Sequence, residues 1–247
     1  MPQLLVPAVH LRDLPKDERG AMVPAEAGYD AAGVPNQSKI NPIMKLILPA
    51  FRACPVCGFA IKAEDSVYRL HDTYSRQATR EELRRDQVSE LDIFGHRICM
   101  LYSAMVCPFW RSSRSKFGKD SAFHGDGKRG PTPSLMGFRD YAVLVDATQP
   151  VAGPTAQQFV FVCRQLVEDT VFDDPFEAFA DQYDRDRKAT GGSLIRGRRR
   201  HYAPELGGVK RLQKDLMQVL GSLRTIPPDA IVDLEGREMG LFGSGWL

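Results

Sequence analysis

No run in this chain of 247 residues is apolar for long enough to cross a membrane. The best candidate, PIMKLILPAF, carries Lys45 and falls far short of the ~20 residues a span requires. The start, MPQLLVPAVHLRDLPKDERG, does not read as a secretory signal, having no basic segment ahead of its apolar part and no small-residue cleavage site. Net charge is close to absent: 33 Lys and Arg against 31 Asp and Glu leave +2. No overall field therefore draws the chain to nucleic acid or an anionic surface, and any basic surface must be local. Internal repeats and low-complexity tracts are lacking. Cysteine is scarce, with five residues in all. With no secretory signal read at the start, the expected location is cytoplasmic, where thiols stay reduced, so these cysteines point to metal or redox chemistry before disulfides.

Several enzyme signatures are absent as well. There is no His-Glu-x-x-His. A nucleobase deaminase needs His-x-Glu ahead of Pro-Cys-x-x-Cys, and the only earlier histidine, His10, reads HLR. The loop GDGKRG resembles a phosphate loop, but Lys128 is followed by Arg129 where Ser or Thr belongs, and Ala122 stands where the first glycine should.

What remains is an ordinary globular composition, 43% hydrophobic and 26% charged, long enough to bury a sizeable core. Residues 1–40 are rich in Pro, Gly, Ala and charge without a period, which predicts an extended N-terminal arm lying over the core. Residues 41–150 hold the motifs. NPIMKLILPAF predicts a short helix between Pro42 and Pro49, SVYRL a strand, and ATREELRRDQVSEL a helix opened by a Thr79–Glu82 capping box. In GHRICMLYSAMVCPFW, Ile98, Leu101, Tyr102, Met105 and Val106 fall on one helical face. YAVLVD reads as a strand, and QPVAGPT marks the boundary to residues 151–247. That last region reads as mostly helical. QQFVFVCRQLVEDTVF is ambiguous between strand and helix, with Phe159, Val162, Cys163 and Leu166 favouring helix; DPFEAFADQYDRDR is opened by Asp174 and Pro175; GVKRLQKDLMQVLGSLR is periodic from Val209 to Leu223. IVDL reads as an edge strand.

Four residues form the chemical constellation. Cys54 and Cys57 lie two residues apart on a Pro/Gly turn. His96 and Cys99, with the same spacing, open an amphipathic helix, where orphan N–H groups and the helix dipole favour thiolate over thiol. Three thiolates and an imidazole suit tetrahedral zinc. A knuckle, a strand-bearing insert and a helix that donates two ligands predict a treble-clef-like arrangement, with an unusually long insert. A redox pair at Cys54 and Cys57 is the weaker reading, since no strand runs directly into a helix there. An iron–sulfur site recruiting Cys107 also stays open, as do plain buried thiols. Cys163 reads as a buried core cysteine.

HLRDLPKDERGAMVP, CPVCG and GHRICMLYSAMVCPFW together resemble an uncharacterised bacterial and phage-borne family. Its members carry a Leu-Pro-x-Asp-x-Arg-Gly element, a Cys-x-x-Cys-Gly knuckle and a His-x-x-Cys-x-x-Tyr block ending in Cys-Pro-Phe. The resemblance covers roughly residues 10–112. It departs at Ser103 and in the longer insert before His96. It implies the same ligand set and no activity.

Two stretches break the charge balance. Lys116, Lys119, Lys128 and Arg129 lie in a loop with Phe117 and Phe123; Arg196, Arg198, Arg199 and Arg200 precede His201 and Tyr202. Arginine forks match phosphate and aromatic rings stack on bases, so these residues are candidates for nucleic-acid binding. The bland alternative pairs the arginines with acids such as Asp184 and Asp186. The sequence thus predicts an α+β protein with a zinc-organised N-terminal half and a non-enzymatic binding role. Nucleic acid is the leading candidate partner and a protein the other, with no membrane and no assignable oligomeric state. The alternative is a metal-dependent nuclease or other hydrolase using His71 or His124, with His71 read as a strand-end surface residue.

Overall fold

Two long strands organise the molecule. In the computed structural model, β5 (Ser134–Asp146) and β6 (Phe159–Val171) pair antiparallel from Ser134↔Val171 to Val145↔Phe159. Residues 7–18, 20–30, 32–83, 89–90, 93–111, 132–146, 159–172, 175–189, 195, 197–204, 207–223, 231–234, 237–243, 245 and 247 are described. β5 buries Leu135, Met136, Phe138, Tyr141 and Val143 through Val145. A strand covered on both faces reads as a continuous apolar run instead of an alternating one.

The remaining strands attach to this pair. β3 (Val67–His71) pairs with the first half of β5, and β8 (Arg237–Gly243) with its second half. β7 (Ile231–Leu234) flanks β8 at one edge, as IVDL predicts, and β4 (Ser89–Glu90) flanks β6 at the other. A separate two-stranded hairpin, β1 (Ala27–Tyr29) with β2 (Pro35–Ile40), lies in the N-terminal arm after the short α1 (Val9–Arg12).

Helices cover the sheet. α2 (Pro42–Ala50) starts where predicted: Asn41 caps it by accepting from the Ile43 N–H, and Pro42 needs no donor in the first turn. α4 (Arg97–Val106) packs against α6 (Pro175–Ala189), and α2 against α7 (Gly208–Leu223). α3 (Thr73–Leu83) and α5 (Pro108–Arg111) complete the set. Phe94 is the central ring of an aromatic cluster, stacked on Tyr141 at 5.1 Å and edge-on to Phe138 and Phe161 at 5.7 and 6.1 Å. That cluster fixes the loop just before α4 to the sheet.

The α+β class stands, but three expectations fail. The C-terminal region is not mostly helical: 159–171, 231–234 and 237–243 are strands. The helical spacing in 159–166 is outweighed by Phe159, Val160, Phe161 and Val162, β-favouring residues that find a long partner in β5. The treble clef also fails. Among the described residues no hairpin lies between knuckle and helix: β3 pairs with β5, far along the chain, and β4 with β6. Finally, α3 begins at Thr73, not at a Thr79 cap. The Asp72 carboxylate accepts from the Tyr74 and Ser75 N–H groups at 2.8 and 3.0 Å, and Thr79 is buried mid-helix.

The arginine run is drawn inward, and its acid is Asp215 on α7, not Asp184 or Asp186. Asp215 is 0% exposed; it accepts from Arg198 Nη2 at 2.7 Å and from the Tyr202 hydroxyl at 2.7 Å, with Arg200 Nε at 3.7 Å. The Arg200 guanidinium lies over the Phe51 ring, 3.5 Å from its centroid. Removing one member of a buried charged cluster leaves the others uncompensated, at a cost of about 3–5 kcal/mol. Asp215→Asn should therefore lower the urea unfolding free energy by roughly 3 kcal/mol. Lys62→Ala, whose ion pair with Glu64 is solvent-exposed, should change it by less than ~0.5 kcal/mol. Comparable small losses in both variants would refute the assignment.

Candidate metal centre

The site begins at the end of α2. Arg52 adopts a left-handed turn (φ 46°) that reverses the chain into the knuckle. The knuckle closes on itself: the Cys54 N–H donates to Phe59 O and the Gly58 N–H to Cys54 O, each at 2.9 Å. Gly58 is required twice over. Its φ is +73°, and a Cβ there would lie 2.8 Å from Arg200 O. The Arg200 N–H in turn donates to Gly58 O at 2.6 Å, joining the C-terminal half to the knuckle.

The second pair arrives by a different route. β3 holds the loop ahead of α4, since Tyr68 and Gly95 exchange backbone hydrogen bonds at 2.9 and 2.8 Å. Gly95 lies close under the site; a Cβ there would come within 3.1 Å of Cys54 Sγ. His96 then occupies the N-cap position with extended backbone, and Cys99 follows in the first turn of α4.

One donor atom each from Cys54, Cys57, His96 and Cys99 lie within 4.8 Å of one another. All three thiols are 0% exposed. Cys57 Sγ stands 3.4 Å and Cys99 Sγ 3.9 Å from His96 Nδ1. A tetrahedron with bonds of about 2.0–2.3 Å has edges of about 3.3–3.8 Å, so the four donors need to draw in by no more than about 1 Å to hold one metal ion. Among the described residues no other group could hold a metal. Cys107 lies outside this set, at the C-cap of α4.

The electrostatics are those of thiols crowded out of water. Burial pushes Cys57 and Cys99 up, and the neighbouring Cys54 sulfur adds to the rise. Burial acts on Cys54 as well, but hydrogen bonds from Cys57 and Cys99 and the influence of His96 outweigh it and hold that thiol low. One thiolate is thus already favoured, and a divalent cation would supply the field that ionises the other two.

His10 was not anticipated as part of this site. Its Nε2 lies 3.2 Å from Cys99 Sγ, its ring sits edge-on to His96 at 6.4 Å, and it is 4% exposed. Burial, followed by the field of His96, pushes its pKa down to about 4. The only sequence signal was its position just ahead of LPKDERG.

The other candidates are placed as follows. His71 is 0% exposed in β3, register partner of Ser134, and is not a surface residue. Arg199 donates to His10 O and Asp13 O and lies over Phe59 at 4.5 Å. Arg198 is half-exposed, with its guanidinium on Asp215. Lys116, Lys119, His124, Lys128, Arg129 and Arg196 lie outside the described residues. Among the described residues no helix is long and apolar enough to cross a membrane. No family model matches the chain, and no curated protein or solved structure is significantly similar to it.

Loss of a metal ligand and loss of a buried thiol should differ sharply. Structural zinc contributes on the order of 10 kcal/mol to folding in small sites, and a lone buried thiol far less. Cys57→Ser should accordingly lower the melting temperature well below that of Cys163→Ser, whose thiol is buried on β6. Matching melting curves for the two variants would count against a metal centre.

Proposed function

We propose that the protein is a non-enzymatic binding protein whose fold is closed by one structural zinc ion on Cys54, Cys57, His96 and Cys99. The observation that carries this reading is the convergence of three buried sulfurs and one imidazole nitrogen within 4.8 Å of one another. Three thiolates and a neutral imidazole are soft and borderline donors, the set zinc takes in closed tetrahedral sites. Four protein ligands leave no coordination position for water or substrate, whereas catalytic zinc usually keeps one open. Iron–sulfur clusters favour all-thiolate sets, and Cys107 stands apart from the group. A dithiol redox role for Cys54 and Cys57 fits poorly with two further donors packed against them.

Among the described residues, little supports a hydrolase or small-molecule role. His71 is fully enclosed. A surface cavity lined by Ala27, Tyr29, Met44, Tyr202 and Leu212 holds about 160 Å³, below the several hundred Å³ of most ligand sites. Of the arginines at 198–200, Arg199 and Arg200 are engaged inside the protein, which weakens the case for a phosphate-bearing partner and favours a protein. Zinc acts here as a cross-link between the knuckle and α4, and binding falls to the surface that this cross-link holds in shape.

Elemental analysis of protein purified without added metal should find close to one zinc per chain. Stripping it with a chelator should lower the melting temperature, and adding zinc back should restore it. Protein that is metal-free as isolated and melts identically with and without zinc would overturn the reading. A titration against DNA and RNA at two salt concentrations addresses the partner. Tight, salt-sensitive binding with a slope of several phosphate contacts would restore nucleic acid as the partner.

A further inference from the structure

We propose that His10 is an outer-shell residue of the metal centre, and that its contact with Cys99 makes metal binding and docking of the N-terminal arm one event. The inference rests on the zinc reading above and extends it to a residue outside the ligand set.

The chemistry starts from charge. A zinc ion with three thiolates and a neutral imidazole carries a net charge of −1, in a site whose sulfurs are out of contact with water. Buried negative charge is costly unless donors face it. Cys57 has one such donor, the Phe59 backbone N–H. At Cys99 the histidine Nε2 stands at 3.2 Å, inside hydrogen-bond range for sulfur. With Cys99 bound as a thiolate, that contact is favourable only when Nε2 carries the proton, which fixes the His10 tautomer. His10 is not a fifth ligand: it falls outside the set of four mutually close donors.

The backbone around His10 is built to hold it there. Arg199 donates to His10 O at 2.5 Å and to Asp13 O at 3.1 Å, while its guanidinium lies over Phe59 of the knuckle. The Ala8 N–H donates to the Tyr183 hydroxyl on α6 at 2.7 Å. Leu11 and Leu14, at 0% and 4% exposure, enter the same core as Cys54 and Cys99. An arm without regular structure over most of its length thus delivers one imidazole to one sulfur, from a segment clamped on both sides.

Two consequences follow. Hydrogen bonds to a metal-bound thiolate lower its nucleophilicity, so His10 protects Cys99 from alkylation and oxidation. The arm in turn gains a contact that exists at full strength only when Cys99 is ionised on the metal. Loss of zinc should loosen the arm even where the rest of the fold survives.

The test compares wild type, His10→Ala and His10→Gln, each purified and loaded with zinc. Gln retains an N–H donor and can partly replace the imidazole. Outer-shell partners usually contribute 10–100-fold to metal affinity. In competition with a chromophoric chelator, His10→Ala should bind zinc at least 10-fold more weakly at unchanged stoichiometry, with His10→Gln between it and wild type. Thiols of the loaded His10→Ala protein should alkylate faster, at Cys99 by mass mapping. Trypsin should cut at Arg12 and Lys16 faster in His10→Ala than in wild type, and faster in both once zinc is removed. Leu14→Ala serves as a packing control that should speed cleavage without selective alkylation at Cys99. Affinity within twofold of wild type, unchanged alkylation at Cys99, or arm cleavage indifferent to zinc would each overturn the proposal. Wild-type protein that takes up no zinc would instead sink the metal reading on which it rests.

Discussion

Three sulfur atoms out of contact with water, with the nitrogen of a half-buried imidazole beside them, set the terms for this molecule. Protonated thiols in such a place are poor hydrogen-bond partners, and three thiolates without a cation would repel one another in a medium that screens little. A divalent ion resolves both problems by ionising the thiols and neutralising most of their charge. The surrounding structure is arranged around that demand. Arg52 turns the chain into the knuckle, Gly58 lets the knuckle close, and Gly95 gives Cys54 Sγ room. Phe94, packed among Phe138, Tyr141 and Phe161, holds the approach to His96 against the sheet. The ligands thus come from segments that meet only because a long sheet positions one of them.

The same economy governs the basic residues. Arginine clusters draw attention as surface features, but Arg199 and Arg200 act here as internal connectors. A guanidinium can cover an aromatic ring with its plane and donate from its rim at the same time. Arg199 does so between Phe59 and the carbonyls of His10 and Asp13, while Arg200 covers Phe51 and lies within ion-pair distance of Asp215, Nε at 3.7 Å. Lysine has no planar fork and could not fill either role. Both arginines bring the C-terminal half onto the arm and the knuckle, and the Arg200 backbone adds its hydrogen bond to Gly58.

The ligand set was legible because it depends on local spacing. Cys-x-x-Cys on a Pro/Gly turn and His-x-x-Cys at a helix start each state their geometry within a few residues. The helix opened at Pro42, the apolar face of α4 and the strand at 141–146 were legible for the same reason. What the sequence concealed were features set by distant partners. Residues 159–166 have a helical spacing, and only the presence of β5 decides them as strand. β3 looks like half of a hairpin, yet its partner lies past α4 and α5. His10 carries no motif, and its meaning comes from where Arg199 and Tyr183 hold its segment. Val106 and Val209 continue the apolar stripes of α4 and α7, but they stand 44% and 53% exposed, because each stripe runs past the surface its helix covers.

The placement of His10 bears on the proposal that the centre is structural. A zinc-bound thiolate with no donor facing it stays nucleophilic, and such sites can react at sulfur. Here donors face two of the three sulfurs: the Phe59 N–H at Cys57 and the His10 ring at Cys99. The third, Cys54, is 0% exposed, with Gly95 packed close against its Sγ. Each sulfur is therefore either hydrogen-bonded or sterically covered. A catalytic metal needs the opposite, an accessible position and a ligand that can leave. A sulfur set shielded in this way is suited to holding the arm, the knuckle and α4 together.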